Sequence, residues 1–514
     1  MNIWILTIGS SDVQLKTKAN WTPLCRKVRD QLDNRGFTPG DKQEDRHRVQ
    51  SRVLGVVYSQ AEAEQNFNDL VFPLVDNFIA KIKEKSIKID RIILILSDQS
   101  IFDVSDRATQ RHPYWEDTCT LQPLLEKYLK QELEDVLPDL QFQNPPLILK
   151  AKSKAEGLDN WNSVLDLVKE GFGSIQSDSG KVYVSHQAGT PAISSAVQFC
   201  SLAKFGDRVR FLVSNEHNAE LTGFVESSSY LRGIKREQAK ELLKNYDYAG
   251  VEKLIGQYLS DDDKILMESA LQWNFAKFDS DDCEKSNSFA CELLKLSSPE
   301  LQELKQAVSD RRQYYWWTAY EAAYLGIVRL EQKNTVEAMF HTFRSIEGLI
   351  RDWAIIKKYP EQIKYSNPDQ PNTPYFHPIN LPPKLQEWFN RNKNKKFNTV
   401  ALHGKPLFEL LKESESSKKI VKNADISEIL CGGILVERNT IFHQLKGLDQ
   451  DQLYRAWGFS NLADSAKWES RVLGCLNFIV NIDLPDNFKN FKSPKDVSLM
   501  AIVHQELEKA IDNL

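Results

Sequence analysis

The sequence lacks most of the devices that would place it in a membrane, outside a cell, or around a metal. Its seven cysteines in 514 residues (Cys25, Cys119, Cys200, Cys283, Cys291, Cys431, Cys475) are scattered. No two stand as C-x-x-C, which argues against a zinc site or a disulfide framework. Cys200 and Cys475 lie among apolar neighbours and read as small core residues. No apolar run is long enough to span a bilayer. The start, "MNIWILTIGS", is apolar but short and has no basic lead, so it reads as a buried strand rather than an export signal. The expected setting is therefore the cytoplasm, with reduced thiols and no membrane contact. Broad positive charge is missing too. The net charge is −5, whereas a protein that grips nucleic acid over a wide face is basic, so any RNA contact is expected in a local groove. There is no G-x-G-x-x-G and no P-loop lysine, which leaves a dinucleotide-binding or ATP-hydrolysing enzyme without its fingerprint. No dense carboxylate cluster calls for a metal, and there is no internal repeat.

What is present is the balance of a globular chain, 41% hydrophobic and 27% charged. Its length implies two or three domains. Up to about residue 235, continuous apolar runs alternate with helical patterns. "NIWILTI", "RVLGVVYS" from Arg52, "RIILILSD" from Arg91, "PLILKAKS" from Pro146, "KVYVSH" from Lys181 and "RVRFLVS" from Arg208 read as strands. Helical patterns run over 61–85, through "LDNWNSVLDLVKEG" and through "PAISSAVQFCSLAKFG". Unbroken apolar strands separated by helices predict a parallel sheet covered on both faces, a doubly wound α/β domain. From Lys235 onward the apolar spacing is helical and almost all helix is expected. The exceptions are a charged loop at 278–288, a proline-dense stretch at 359–384 that cannot be one helix, and the basic run "RNKNKK" at 391–396.

Ligands of parallel sheets bind beyond the carboxyl ends of the strands. Three such ends are chemically suggestive: "TIGSSD" (7–12), "SHQAGTP" (185–191) and "SDQS" (97–100). Gly9 and Gly189 either let the backbone approach a ligand or merely permit tight turns. Thr190 precedes a proline that suits a first helical turn, so free N–H groups there favour a phosphate. His186 either touches the ligand or caps the strand end. Far downstream, "RNTIFH" (438–443) sets Arg438, Asn439 and His443 in an apolar helical context. Histidine supplies acid and base near neutral pH, arginine holds a phosphate and its added charge, and Asn439 orients either one. This is the chemistry of ribose 2′-OH attack on RNA, and it requires no metal. The spacing alone is weak, because Arg107 and His112 repeat it in the polar stretch "DRATQRHPYW". Five helical positions turn about 140° around the axis, so Arg438 and His443 converge best beside a second copy of the helix.

Taken in order, "LTIGSSD", "SHQAGTP", "LLKNYDYAGVEKLI" and "RNTIFH" resemble the CARF–HEPN ribonucleases, ancillary effectors of type III CRISPR systems. The resemblance implies a CARF sensor domain at 1–235, a helical connector at 236–325 and a HEPN ribonuclease domain at 326–514. It implies a homodimer that binds one cyclic oligoadenylate ring across its axis and cuts single-stranded RNA, leaving a 2′,3′-cyclic phosphate. The ring is an allosteric activator and no cofactor is expected; the four-adenylate ring is favoured because it is common in the family. Arg438, Asn439 and His443 match the catalytic motif. Gly9, Ser10 and Ser11 match the first ligand loop, and Gln187, Ala188, Gly189 and Thr190 match the second. Val13 replaces the family's proline, Ala188 takes the place of a second glycine, and Phe442 sits where small residues are common, so ring size and packing beside His443 are left open.

Two other functions remain compatible with the residues. One is a regulator that binds the ring without cutting RNA; the other is a sensor domain that also degrades its ring, with Ser11 and Thr190 near that chemistry. Among the remaining features, the aromatics of "RRQYYWWTAYEAAYLG" (311–326) are expected in a core or dimer contact rather than stacked on bases. Glu337 and Arg344, on the same helical pattern as His341, could face the site but are expected at a core edge, and "RNKNKK" in a solvated loop.

Overall fold

The computed structural model describes the chain except for residues 44, 177–178, 216–217, 366–372, 416–419, 421, 432–446, 460–463 and 483–490. The chain divides into two compact units, Met1–Gly233 and Ile234–Leu514.

In the first unit the apolar runs become a seven-stranded sheet. The strands are β1 (Ile3–Thr7), β2 (Arg91–Asp98), β3 (Gln141–Phe142), β4 (Leu147–Lys150), β5 (Val182–Ser185), β6 (Val209–Val213) and β7 (Gly223–Glu226). Their order is β7-β6-β5-β1-β2-β3, with β4 also paired to β2. All pairings are parallel except that of β6 with β7. β1 lies at the centre, with Ile3 opposite both Val182 and Arg91. Alternate side chains of one strand serve opposite faces. Trp4 and Leu6 join a core with helices α1 (Ser51–Tyr58), α2 (Pro73–Glu84) and α3 (Gln122–Leu133), whereas Ile3 and Ile5 join a second core with α4 (Trp161–Gly173) and α5 (Pro191–Phe205). Each fully buried aliphatic or aromatic side chain contributes roughly 1.5–3 kcal/mol, so a strand buried on both faces is strongly specified. The Rossmann-like α/β expectation holds.

Two local expectations fail here. The "RVLGVVYS" stretch is the helix α1. Nearly every residue of it is buried, so it has no polar stripe, and a helix buried all round leaves the same apolar run as a buried strand. Residues 61–85 are not one helix: a 3-10 stretch, Ala61–Asp69, leads into the short strand Leu70–Val71 before α2 begins at Pro73.

The second unit is mostly helical, as expected. Its core is one cluster running from Ala239 to Ile511, around α6 (Trp317–Glu331) and α7 (Thr335–Trp353). Trp316, Trp317, Tyr320 and Tyr324 are all buried, so these four aromatics are core, whereas Tyr314 of the same run is exposed. Glu321, also buried in α6, is explained by its donors. It accepts from Trp273 Nε1 (2.9 Å), Ser498 Oγ (2.6 Å) and the backbone N–H of Leu499 (2.6 Å), and so caps the C-terminal helix α10, for which α8 (Ala424–Cys431) and α9 (Ser465–Val480) come first in the chain and α10 spans Leu499–Asp512. Burial pushes its carboxyl up to about 7 against those hydrogen bonds. Glu337 pairs with Arg329 at 2.7 Å, and His341 is buried. Within the proline-dense stretch, Ile363–Lys364 and Tyr375–Phe376 form a small antiparallel sheet with Val400–Ala401.

The expectation of scattered thiols also needs correction: Cys283 and Cys291 form a disulfide. The 278–288 loop folds back, with the N–H groups of Phe289 and Ala290 donating to the carbonyls of Lys277 (2.8 Å) and Phe278 (3.0 Å). That return brings the two cysteines together without any sequence motif. Among the described residues, no helix is long and apolar enough to cross a membrane.

Candidate functional site

The central strands β1 and β5 are neighbours, yet the chain leaves them in opposite directions across the sheet. The loops at their carboxyl ends therefore flank a crevice at the switch point. After β1, Gly9 N–H donates to the Asp12 carboxylate (2.8 Å) and Asp12 N–H to Gly9 carbonyl (3.3 Å), a clasp that holds the turn. Asp12 is buried. After β5, Gly189 adopts φ +94°, a conformation open to glycine, and Thr190 caps α5 by accepting from Ile193 N–H (3.2 Å).

The two loops touch. A Cβ built on Gly9 would stand 2.8 Å from the backbone nitrogen of Gly189. Glycine at position 9 is thus a condition of loop contact and not only of a turn. Gly9→Ala is expected to cost about 1–3 kcal/mol through overpacking against backbone that cannot rotate away. Hydrogen exchange checks this: protection at the amides of Gly9 and Gly189 should fall while that of α3 stays put, and unchanged exchange at Gly189 would contradict it.

Gly9, Ser10, Gly189 and Thr190 line one cleft, closed by Ser97, Gln99, Glu116, Asp117, Thr118 and Leu158. Its volume is about 180 Å³, below the roughly 300–1,000 Å³ of pockets that enclose a drug-sized ligand. It has room for one fragment of a larger ligand. Ser11, Gln187 and Ala188 are not among its walls. Ser11 carbonyl accepts from Gln14 Nε2 (2.8 Å), Gln187 Oε1 accepts from Ser214 N–H at the end of β6 (2.6 Å), and Ala188 packs beneath Gly9. The Thr190 hydroxyl also donates to Leu158 carbonyl (2.7 Å). His186 turns inward: its Nδ1 hydrogen-bonds Ser194 Oγ (3.1 Å), its ring meets the Phe211 edge, and burial lowers its pKa.

Beneath the cleft lies an ion cluster. Arg52 Nη2 donates to Asp98 (2.7 Å) and Asp117 (2.8 Å), and its Nε donates to Tyr114 carbonyl (2.8 Å). Asp117 in turn accepts from Gln99 N–H (2.7 Å). At the rim, Arg48 donates to Ser10 Oγ (2.7 Å) and stands 3.9 Å from Glu116. The "SDQS" loop was legible as a strand end, but Arg48, Glu116 and Asp117 were not: they come from segments without a turn or periodic signal. Arg438, Asn439 and His443 lie outside the described residues.

A solved structure of Enterococcus italicus Csm6 bound to cyclic hexa-2′-fluoro-hexa-dAMP aligns with 99% of this chain and 100% of its own, with a TM-score of 0.53 and 14% identity. The chain has the Csm6 fold. The CARF–HEPN resemblance read from short motifs is thereby matched over the whole length of the chain, at the level of fold. No family model and no curated protein matches the sequence. At 14% identity the Csm6 match carries the architecture, and the residues of the cleft carry the chemistry.

Proposed function

We propose that this protein is an endoribonuclease of type III CRISPR antiviral defence, switched on by a cyclic oligoadenylate. The observation that carries the reading is the contact of Gly9 with Gly189 at the carboxyl ends of two central strands, beside the capped N-terminus of α5, in the fold of a protein solved with a cyclic six-nucleotide analogue. Backbone N–H groups at that helix start suit a phosphate.

A ring of several adenylates is far larger than a cleft of about 180 Å³, which favours a ring lying over the loops of two chains related by a twofold axis. Residues 1–235 then act as the CARF sensor, 236–325 as the connector and 326–514 as the HEPN nuclease of a cytoplasmic homodimer. The ring is an allosteric activator, not a cofactor. In the nuclease, His443 moves the proton of the ribose 2′-OH, Arg438 holds the scissile phosphate and Asn439 orients it. That chemistry yields a 2′,3′-cyclic phosphate without metal. Degradation of the ring by Thr190 is disfavoured, since its hydroxyl already accepts from Ile193 N–H and donates to Leu158 carbonyl.

The test is cleavage of a fluorogenic single-stranded RNA in EDTA, with cyclic tetra- and hexa-adenylate added separately. The four-membered ring follows from the family resemblance and the six-membered one from the Csm6 ligand. Cleavage with one ring and products ending in 2′,3′-cyclic phosphate is expected. Silence with both rings overturns the nuclease reading, and ring binding in that silence would leave a regulator that senses without cutting.

A further inference from the structure

Most polar side chains in the cleft walls are already spent on the protein. Asp117 is taken by Arg52 and Gln99, Gln99 also accepts from Leu158 N–H (3.3 Å), Thr118 Oγ1 accepts from Ser97 N–H (3.0 Å), and Thr190 is engaged in both directions. Glu116 differs. It ends the 3-10 turn Pro113–Glu116, and its side chain is 36% exposed. Its Oε2 is buried with no hydrogen-bond partner, and Arg48 Nη2 approaches it only to 3.9 Å. Burial raises its pKa, with Arg48 acting against the rise. A buried acceptor without a donor is a cost that a ligand donor relieves.

We propose that Glu116 is the base-reading residue of the ligand site, accepting the exocyclic amine of one adenine while Arg48 beside it takes a phosphate of the ring. The assignment rests on the cyclic oligoadenylate reading above. A carboxylate repels phosphate, so its place in a phosphate-binding cleft calls for a donor on the ligand. Adenine offers the N6 amine as a donor, whereas hypoxanthine has a carbonyl acceptor there and its donor displaced to N1, so a carboxylate fixed opposite N6 distinguishes the two by position. Arg48 stands 3.9 Å from Glu116 and is 61% exposed. Its Nη2 is held by Ser10, but a guanidinium carries further N–H groups, and pairing of those with the phosphate of the same nucleotide suits it. The two side chains, with Ser10 between them, thus present one acceptor and one cation to one adenylate.

The experiment is calorimetric binding of cyclic hexa-adenylate and cyclic hexa-inosinate to the full-length protein, with the four-membered pair run alongside. Wild type is expected to prefer adenylate about tenfold or more, the span of one good base contact. Glu116→Ala should bring the two rings within about twofold of each other by losing adenylate affinity. Glu116→Gln keeps the shape, offers both a donor and an acceptor, and should bind both rings. A purely structural Glu116 would not relax base preference in this way. If Glu116→Gln and Glu116→Ala both keep the wild-type preference, the assignment is overturned while the ring reading stands. If wild type binds no ring, the reading and the assignment fall together.

Discussion

Arg52→Ala is expected to destabilise the first unit by about 3–5 kcal/mol, the usual cost of removing one partner from a buried ion cluster. The side chains of Arg52, Asp98 and Asp117 are 10%, 15% and 1% exposed, so both carboxylates would be stranded in the interior. Their present states show how much Arg52 does. Burial pushes Asp98 up, but the Arg52 and Ser100 hydrogen bonds outweigh it and its pKa lies below the ordinary value. In Asp117, burial outweighs Arg52 and the pKa lies above it. Asp98 thus contributes stability that is present above its unfolded pKa and lost as pH falls through the lower folded one. Asp117 has the opposite sign: its contribution is present below its unfolded pKa and lost as pH rises through the raised folded one. The Arg52 ring contact adds to the loss, since its guanidinium sits 4.1 Å above the Tyr114 ring. Hydrogen exchange in the intact protein reads the effect locally. Protection of the β1 and β2 amides should drop by roughly a hundredfold or more, while α6 and α7 are unaffected. Arg52→Lys keeps the charge but not the fork and should fall between the two. A variant within 1 kcal/mol of wild type, about the scale of an exposed pair, would mean that water replaces the guanidinium.

The same cluster shows what a sequence carries openly and what it does not. The strand Arg91–Asp98 was legible at both ends because its middle is buried on two faces and contains nothing but large apolar residues. Gly9 and Gly189 were legible because a glycine after such a strand has few purposes. Arg52 was hidden inside an apolar run that reads as a strand, since α1 is buried all round. Its partners, Asp98 and Asp117, lie 46 and 65 positions away, and no period or turn signal links such residues. Arg48 meets Ser10 and Glu116 in the same way, by tertiary approach alone. The disulfide between Cys283 and Cys291 is local, eight positions apart, and was hidden because the backbone return that joins the two cysteines has no sequence motif. The residue pattern therefore located the crevice through its backbone requirements, whereas its charged walls needed the fold.

The two arginine–histidine spacings offer a matched comparison for the catalytic proposal. In the first, Arg107 pairs with Asp33 at 2.9 Å and lies against the Tyr114 and Trp115 rings, while His112 accepts from Tyr114 N–H (3.2 Å) and starts the turn that carries Glu116. Both side chains are used by the fold, and neither offers a proton to a substrate. His112→Ala is accordingly expected to leave RNA cleavage at saturating ring within about threefold of wild type, since it touches no step of acid–base transfer. His443→Ala should lower ring-stimulated cleavage by about 10²–10⁴-fold, the range that a positioned acid–base group contributes. Ring affinity and melting temperature should not move. The readout that separates chemistry from folding is the pH profile. A histidine acting as base and another as acid give a bell-shaped rate, and the residual rate of His443→Ala should lose that shape. Full cleavage by His443→Ala would remove "RNTIFH" from the mechanism and require the nuclease activity to reside elsewhere in the helical unit.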